Sequence, residues 1–422
     1  SSDYPEPFQA KQSVKFSFVD FKARLSRVFD VMLYLSAVAA CFAASESSSL
    51  RSQGVLAAVP PPCFPLSNAF GNSMVLQRDQ RAVIYGSVCG SAASATLISV
   101  SIDGGAAVTT TIAVGATSWS VTMPPHPASH AAHTVQVTSS GGTSALSMTL
   151  TDVLFGDVIL CSGQSNMCFS TNQMTGAHDE CALANATRFS SIRLFTAKPS
   201  HAATPQADLT VLQNWTAANS ASVCGAGAFS HFSAVCWLQG RHLFDRLEGK
   251  VPLGLLTSAY GGTRIHSWSS SDALGHCPQK GGSGDDSNLW NKMISPILQM
   301  RFKFIVWLQS ESDVCPSDTS CTPQRGAIYY SCAIKAMVTD WRAKLGYAAK
   351  SLAFLWVQIS PWEGHEAATT SRALPNMRLG QMAANDLENV AMATAVDLGP
   401  PANANGWNSG DEHGPDPWGK SR

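Results

Sequence analysis

The sequence predicts an α/β protein: a parallel sheet flanked by helices, preceded by a small antiparallel, sandwich-like β domain. Three observations predict it. Apolar and polar residues alternate from about residue 63 to 150. After Asp152 the apolar residues gather into short continuous runs, and helical patterns fill the intervals between them. Alternation marks strands with one wet face, continuous runs mark strands covered on both faces, and strands alternating with helices make a parallel sheet.

The β domain is assigned to residues 61–151. Ile98, Val100 and Ile102 alternate with Ser99 and Ser101; Trp119, Val121 and Met123 with Ser120 and Thr122; Leu146, Met148 and Leu150 with Ser147 and Thr149. Gly-Gly pairs at 104–105 and 141–142 supply turns. The α/β domain is assigned to residues 152–422. Its strands are read at Val153–Cys161, Val251–Ala259, Phe302–Leu308, Ala353–Ile359 and Val390–Val396. The clearest helix places Ile334, Met337, Val338, Trp341 and Leu345 on one face. In such a sheet a ligand crevice is expected at the carboxyl ends of the strands.

Residues 1–60 are read as a leader and linker. The uncharged stretch 31–45 follows Lys22, Arg24 and Arg27 and closes on Ala43, Ala44 and Ser45, the anatomy of a secretory signal. It is shorter than the ~20 residues that cross a bilayer, so no stable membrane span is expected. Residues 46–62 are rich in Ser and then Pro. With 12 cysteines and acceptor triplets at Asn185 and Asn214, this places the protein outside the cell or in a lysosomal or endomembrane lumen. Loss of Cys41 with a leader would leave an odd number of cysteines, which cannot all pair within the chain. Cys224 and Cys236, and Cys315 and Cys321, are close enough in sequence for local disulfides, and Cys161 reads as a buried apolar residue.

Composition excludes several classes. Lys+Arg number 28 against 29 Asp+Glu, so the basic surplus of a nucleic-acid binder is missing. His365-Glu366-Ala367-Ala368-Thr369 begins like a zinc helix but lacks the second histidine, so no metal or other cofactor is expected.

The chemistry gathers at the predicted strand ends. The first strand runs into Ser162-Gly163-Gln164-Ser165-Asn166-Met167. Ser165 is placed either as a nucleophile on a strand-to-helix turn or as a plain helix cap. The second strand ends in Tyr260-Gly261-Gly262-Thr263, whose glycines allow close backbone approach to a ligand. The third ends in Gln309-Ser310-Glu311-Ser312-Asp313, and Asp411-Glu412-His413 lies near the carboxyl terminus. Together they offer a nucleophile, oxyanion donors, a base and its orienting acid in one crevice.

These residues resemble a known family. Gly156-Asp157-Val158-Ile159-Leu160-Cys161-Ser162-Gly163-Gln164-Ser165-Asn166-Met167 is similar to the signature of the sialate O-acetylesterases, members of the SGNH hydrolase superfamily. Met74-Val75-Leu76-Gln77-Arg78, Tyr260–Thr263, Val306–Ser312 and Ala395–Gly399 resemble further blocks of that family. The resemblance implies an SGNH-hydrolase-like three-layer α/β/α domain. It implies a serine esterase acting on a small or glycan-linked O-acetylated sugar, sialic acid first among them. Ser165 would attack the acetyl carbonyl, His413 would act as base, and Asp411, with Asp416 as rival, would orient it. Gly261, Gly262 and Gln309 would serve the oxyanion. Asn166 and Glu311 would support the site, and Arg264 could meet a sugar carboxylate.

The chain departs from the pattern at Ser310, where the family usually carries Gly, and at Arg264 and His266, where it carries Pro and an acid. It also ends at Arg422, soon after His413, which reads as a truncated carboxyl end. Two other readings stand beside this one: an acetylesterase for a polysaccharide such as acetylxylan, and a carbohydrate-binding protein without catalysis. A glycosidase using Glu311 and Asp411 would leave the Ser165 segment without a role.

Overall fold

A computed structural model describes residues 64–396, apart from 90–91, 93–94, 141–146, 175, 226, 228, 278–283, 316–324 and 361–371. The leader stretch 31–45, and the positions Asp397, Asp411, His413 and Asp416, lie outside the described residues.

Seven strands come first: β1 Val75–Gln77, β2 Val83–Ser87, β3 Thr96–Ile102, β4 Val108–Ile112, β5 Ser118–Thr122, β6 Ser129–Ser140 and β7 Ser147–Gly163. Six more follow: β8 Ile192–Ala197, β9 Val211–Ala217, β10 Leu253–Ala259, β11 Phe304–Leu308, β12 Ala353–Gln358 and β13 Val390–Thr394. The helices that matter for the site are α1 Ser165–Cys168, α2 Ala234–Arg246, α3 Ile265–Trp268 and α4 Ala327–Lys344.

The amino-terminal strands are antiparallel except for β1, which pairs in parallel with β7, and β3 and β5 alternate in burial as expected. Trp119 and Val121 are buried between exposed Ser118, Ser120 and Thr122. β3 pairs with β4 and β6, and β2 pairs with β5. These strands do not stand apart from the rest as a separate sandwich. β7 pairs antiparallel with β6 in its first half and parallel with β10 and β11 in its second. One strand thus runs through both regions. It bends at Asp152, whose φ is 55° and whose carboxylate is gripped by both terminal nitrogens of Arg193 and by the Ser73 hydroxyl. These bonds hold the Asp152 carboxyl below its ordinary value.

A second clip joins the two regions at the amino end of the parallel part of β7. Arg78 grips Asp157 with two nitrogens, at 2.9 and 3.1 Å. Gln77 adds a bond to the same carboxylate and accepts from the Val158 N–H. These contacts tie the Met74–Arg78 segment to the Gly156–Leu160 segment.

The main sheet has the order β13-β12-β11-β7-β10-β8-β9, parallel except for the edge strand β9. Alternate residues divide between two cores, as three layers require. On one face Val158, Leu160, Leu256, Ile305, Trp307 and Phe354 pack under α4, which contributes Tyr330, Ile334, Met337, Val338 and Trp341. On the other, Ile159, Leu194, Leu255, Val306 and Val357 pack under α2, which contributes Val235, Trp237 and Phe244. The helical face read from Ile334, Met337, Val338, Trp341 and Leu345 is buried throughout. Trp307 stands edge-on to both Trp268 and Trp341, at 5.8 and 5.7 Å between centroids. Truncating a buried indole of this kind to Ala typically costs about 3–5 kcal/mol.

The cysteines correct the sequence reading. Cys161 is not a lone apolar residue but pairs with Cys236, fastening β7 to α2. Cys224 pairs with Cys181 rather than with Cys236, and Cys277 with Cys332. Sequence proximity of Cys224 and Cys236 misled because the sheet brings residues 75 apart to the same place. No helix among the described residues is long and apolar enough to cross a membrane.

Candidate active site

β7 lies between β10 and β11, so the three strand ends singled out in the sequence emerge side by side. Gly163 makes the junction possible. Its φ is 143°, and a Cβ there would sit 2.0 Å from the Leu308 carbonyl oxygen. Only glycine lets β7 close on β11 at this point. Gln164 then donates its N–H to the Leu308 oxygen over 3.0 Å, and α1 starts.

Ser165 opens α1 and is the one residue from 153 to 171 that is not buried. The N-cap of α1 is Gln164, with no side-chain cap bond, so Ser165 is not the plain cap that the sequence allowed. On one side the chain after β10 bonds back to β7, Tyr260 N–H to Gly163 oxygen at 3.0 Å. Gly261 is buried there, and Gly262, at φ 73°, is exposed.

On the other side stands a polar lattice. Asn166 donates to Glu311 over 2.7 Å, and the Ser310 N–H donates to the other Glu311 oxygen over 3.0 Å. Burial raises the Glu311 pKa, against the pull of those hydrogen bonds. The sequence placed Gln309 among the oxyanion donors. In the structure its amide nitrogen is taken up internally, donating to Gln164 Oε1 at 3.1 Å, the Thr263 carbonyl at 2.9 Å and Asp313 at 2.6 Å. Its amide oxygen accepts from the Tyr330 hydroxyl at 3.1 Å. With both ends engaged and only 1% of its surface exposed, Gln309 braces the ends of β7, β10 and β11 instead of facing a ligand.

Asp313 is the residue that the sequence reading quoted without a role. It is fully buried, accepts from Gln309 and from the Ile265 N–H at 3.0 Å, and its Oδ1 has no hydrogen-bond partner. Burial pushes its pKa up to about 7, with Arg264 and Arg325 pulling the other way. Gln164 and Tyr330 were missed for a common reason: each acts through a side chain folded inward, which a sequence does not reveal.

Ser310 departs from the glycine that the resemblance leads one to expect. Its φ is 157° with ψ −10°, its side chain is buried, and its hydroxyl has no hydrogen-bond partner. His266 is fully buried with its Nδ1 2.9 Å from Asp286, on α3 below the β10 turn. Burial lowers its pKa. Among the described residues no histidine bonds to the Ser165 hydroxyl, and no cluster of His, Cys, Asp or Glu could hold a metal ion. Ser165, Asn166, Gly261, Gly262, Gln309 and Glu311 are therefore brought to one edge, Arg264 directly follows the Tyr260–Thr263 turn, and the proposed base and its acid lie beyond the described residues.

The family model described as carbohydrate esterase, sialic acid-specific acetylesterase, matches residues 155–405. The chain belongs to that family. Over 269 residues it is 35% identical to proteins named sialate O-acetylesterase from Pongo abelii and Homo sapiens, covering 58% of this chain and 48% of each of those. The chain spans about half the length of the curated relatives it matches. Among solved structures, a carbohydrate acetylesterase from Xanthomonas citri superposes with a TM-score of 0.65 at 28% identity, covering 80% of this chain and 70% of that one. In this sialic acid-specific acetylesterase family member the matched span starts within β7, before Ser165, and takes in β10, β11 and the lattice around Gln309.

Proposed function

We propose that this chain is a serine esterase that removes O-acetyl groups from sugars, O-acetylated sialic acid first among them. Ser165 Oγ attacks the acetyl carbonyl, His413 takes the proton and returns it to the leaving sugar oxygen, and Asp411 holds the imidazole in the required tautomer. Water then hydrolyses the acetyl-enzyme. The oxyanion is served by the Ser165 N–H and an N–H of Gly261 or Gly262; one such donor is worth roughly 3–4 kcal/mol in the transition state. The observation that carries the reading is that Ser165 alone is partly exposed within a buried run, at the edge where three parallel strands end.

The names of the relatives support acetyl-ester chemistry on a carbohydrate. The disulfides Cys161–Cys236, Cys181–Cys224 and Cys277–Cys332 support an oxidising compartment, a secreted or endomembrane location. The test is acetate release from O-acetylated sialic acid, from acetylxylan and from p-nitrophenyl acetate by wild type and by Ser165→Ala. The esterase reading expects release that the variant loses, with sialic acid preferred over xylan. Equal rates in the two proteins would overturn it and favour a carbohydrate-binding role.

A further inference from the structure

We infer that Arg264 and Arg325 form a two-guanidinium clamp for the carboxylate of an acidic acetylated sugar, near the edge where Ser165 is partly exposed. This rests on the esterase reading and narrows its substrate class.

The two arginines come from distant parts of the chain and are fixed to one residue. Arg264 immediately precedes Ile265, whose N–H donates to the Asp313 side chain over 3.0 Å. Arg325 immediately precedes Gly326, whose N–H donates to the Asp313 carbonyl over 2.9 Å. Arg264 also follows Thr263, whose carbonyl is held by Gln309 at 2.9 Å, and Gln309 in turn holds Gln164, next to Ser165. Each arginine is thus one residue from an anchored backbone group at the carboxyl edge of the sheet.

Both arginines are partly buried as residues. Among the described residues neither has an acid within ion-pair distance, and the Nε of Arg325 is buried with no hydrogen-bond partner. Burial and the charge of Arg264 both hold Arg325 below its ordinary pKa, so the two cations feel one another. Asp313 lies behind them, enclosed and shared with Gln309. Two like charges that act on one another are costly unless an anion joins them, and the Asp313 carboxyl on which both act is enclosed and already shared with Gln309. The planar donor fork of arginine suits a carboxylate, and two forks suit it better than one. A neutral sugar would leave the pair unsatisfied.

The experiment compares wild type with Arg264→Gln, Arg325→Gln and the corresponding Lys variants. The substrates are O-acetylated sialic acid, an acetylated hexuronate, an acetylated neutral hexose and p-nitrophenyl acetate. For the carboxylate-bearing sugars each Gln substitution is expected to raise KM about tenfold, the equivalent of about 1.4 kcal/mol, with kcat little changed. The neutral hexose and p-nitrophenyl acetate should be turned over as before, and Lys should restore part of the loss. The acid that suffers the larger loss, sialate or hexuronate, identifies the carboxylate geometry the clamp fits. Equal effects on charged and neutral sugars, or no effect on either, would overturn the clamp while p-nitrophenyl acetate hydrolysis leaves the esterase intact. Calorimetric titration of Ser165→Ala with free sialic acid, with and without Arg264→Gln, reads the clamp without turnover. Unchanged affinity would overturn it there too.

Discussion

Asn166 Nδ2 donates to Glu311 Oε1 over 2.7 Å, which ties the residue after the partly exposed Ser165 to the end of the neighbouring strand. Glu311 also accepts from the Ser310 N–H, so both carboxylate oxygens are in use. On the serine-esterase reading Glu311 is a positioning residue, acting on Ser165 through Asn166. Glu311→Ala should lower kcat on p-nitrophenyl acetate by about 10- to 100-fold with little change in KM, the range expected when a supporting hydrogen bond near a site is removed. Glu311→Gln should recover part of that loss, since an amide keeps one of the two accepting contacts. Loss expressed in KM alone would argue that Glu311 meets the substrate instead.

The buried carboxyl of Asp313 makes a pH-dependent prediction. Its pKa is raised from an ordinary 3.8 to about 7 by burial, so the folded protein holds its proton more tightly than the unfolded chain does. That contribution is complete below about pH 4 and is lost as pH rises through about 7, a change of a few kcal/mol. Asp313→Asn does not titrate and can still accept from Ile265. The melting temperature of the Asn variant should therefore gain on wild type between about pH 4 and 7, then run parallel above. Parallel curves throughout would mean that Asp313 is charged in the folded state at all these values.

Ser310 occupies a backbone geometry that glycine adopts freely, at φ 157°, and buries an unpartnered hydroxyl. Relief of strain and of the stranded hydroxyl should outweigh the extra freedom of glycine in the unfolded chain, which offsets about 0.5–1 kcal/mol. Ser310→Gly should raise the melting temperature by a few degrees and leave the bond from the residue-310 N–H to the Glu311 carboxylate in place. A lower melting temperature would show that the hydroxyl is stabilising where it lies.

Arg78 and Asp157 form a clip whose acid is only 6% exposed along its side chain. Arg78→Met would leave that carboxylate buried with the weaker Gln77 contact alone, at a cost of about 2–3 kcal/mol. Asp157 begins the part of β7 that pairs with β10 and Gly163 ends it, which at about 3.3 Å per residue puts the clip roughly 20 Å from Ser165. Chemical denaturation should show the lost stability while kcat on p-nitrophenyl acetate stays near wild type. A large fall in kcat would mean that the clip sets the geometry of the strand end.

The sheet, its two faces and the convergence of Ser165, Gly261 and Gln309 were legible because continuous apolar runs and strand-end motifs are local in sequence. The face of α4 could be read from Ile334 to Leu345 for the same reason. What was not legible depends on where side chains turn. Gln309 looks like a free donor in sequence, yet it is enclosed by Gln164, Thr263, Asp313 and Tyr330. Cys161 looks apolar because its partner Cys236 is 75 residues away. The bend at Asp152 reads as a domain boundary, but β7 runs through it, since Arg193 and Ser73 hold the turned backbone from other elements.

The central claim is that Ser165 is the nucleophile. A fluorophosphonate reacts covalently with an activated serine hydroxyl, and peptide mass spectrometry identifies the residue that carries it. Labelling at Ser165, blocked by prior incubation with acetylated sugar and absent from Ser165→Ala, is the result predicted. Acetyl-ester hydrolysis that persists with Ser165 unlabelled, or a label on another serine, would contradict it.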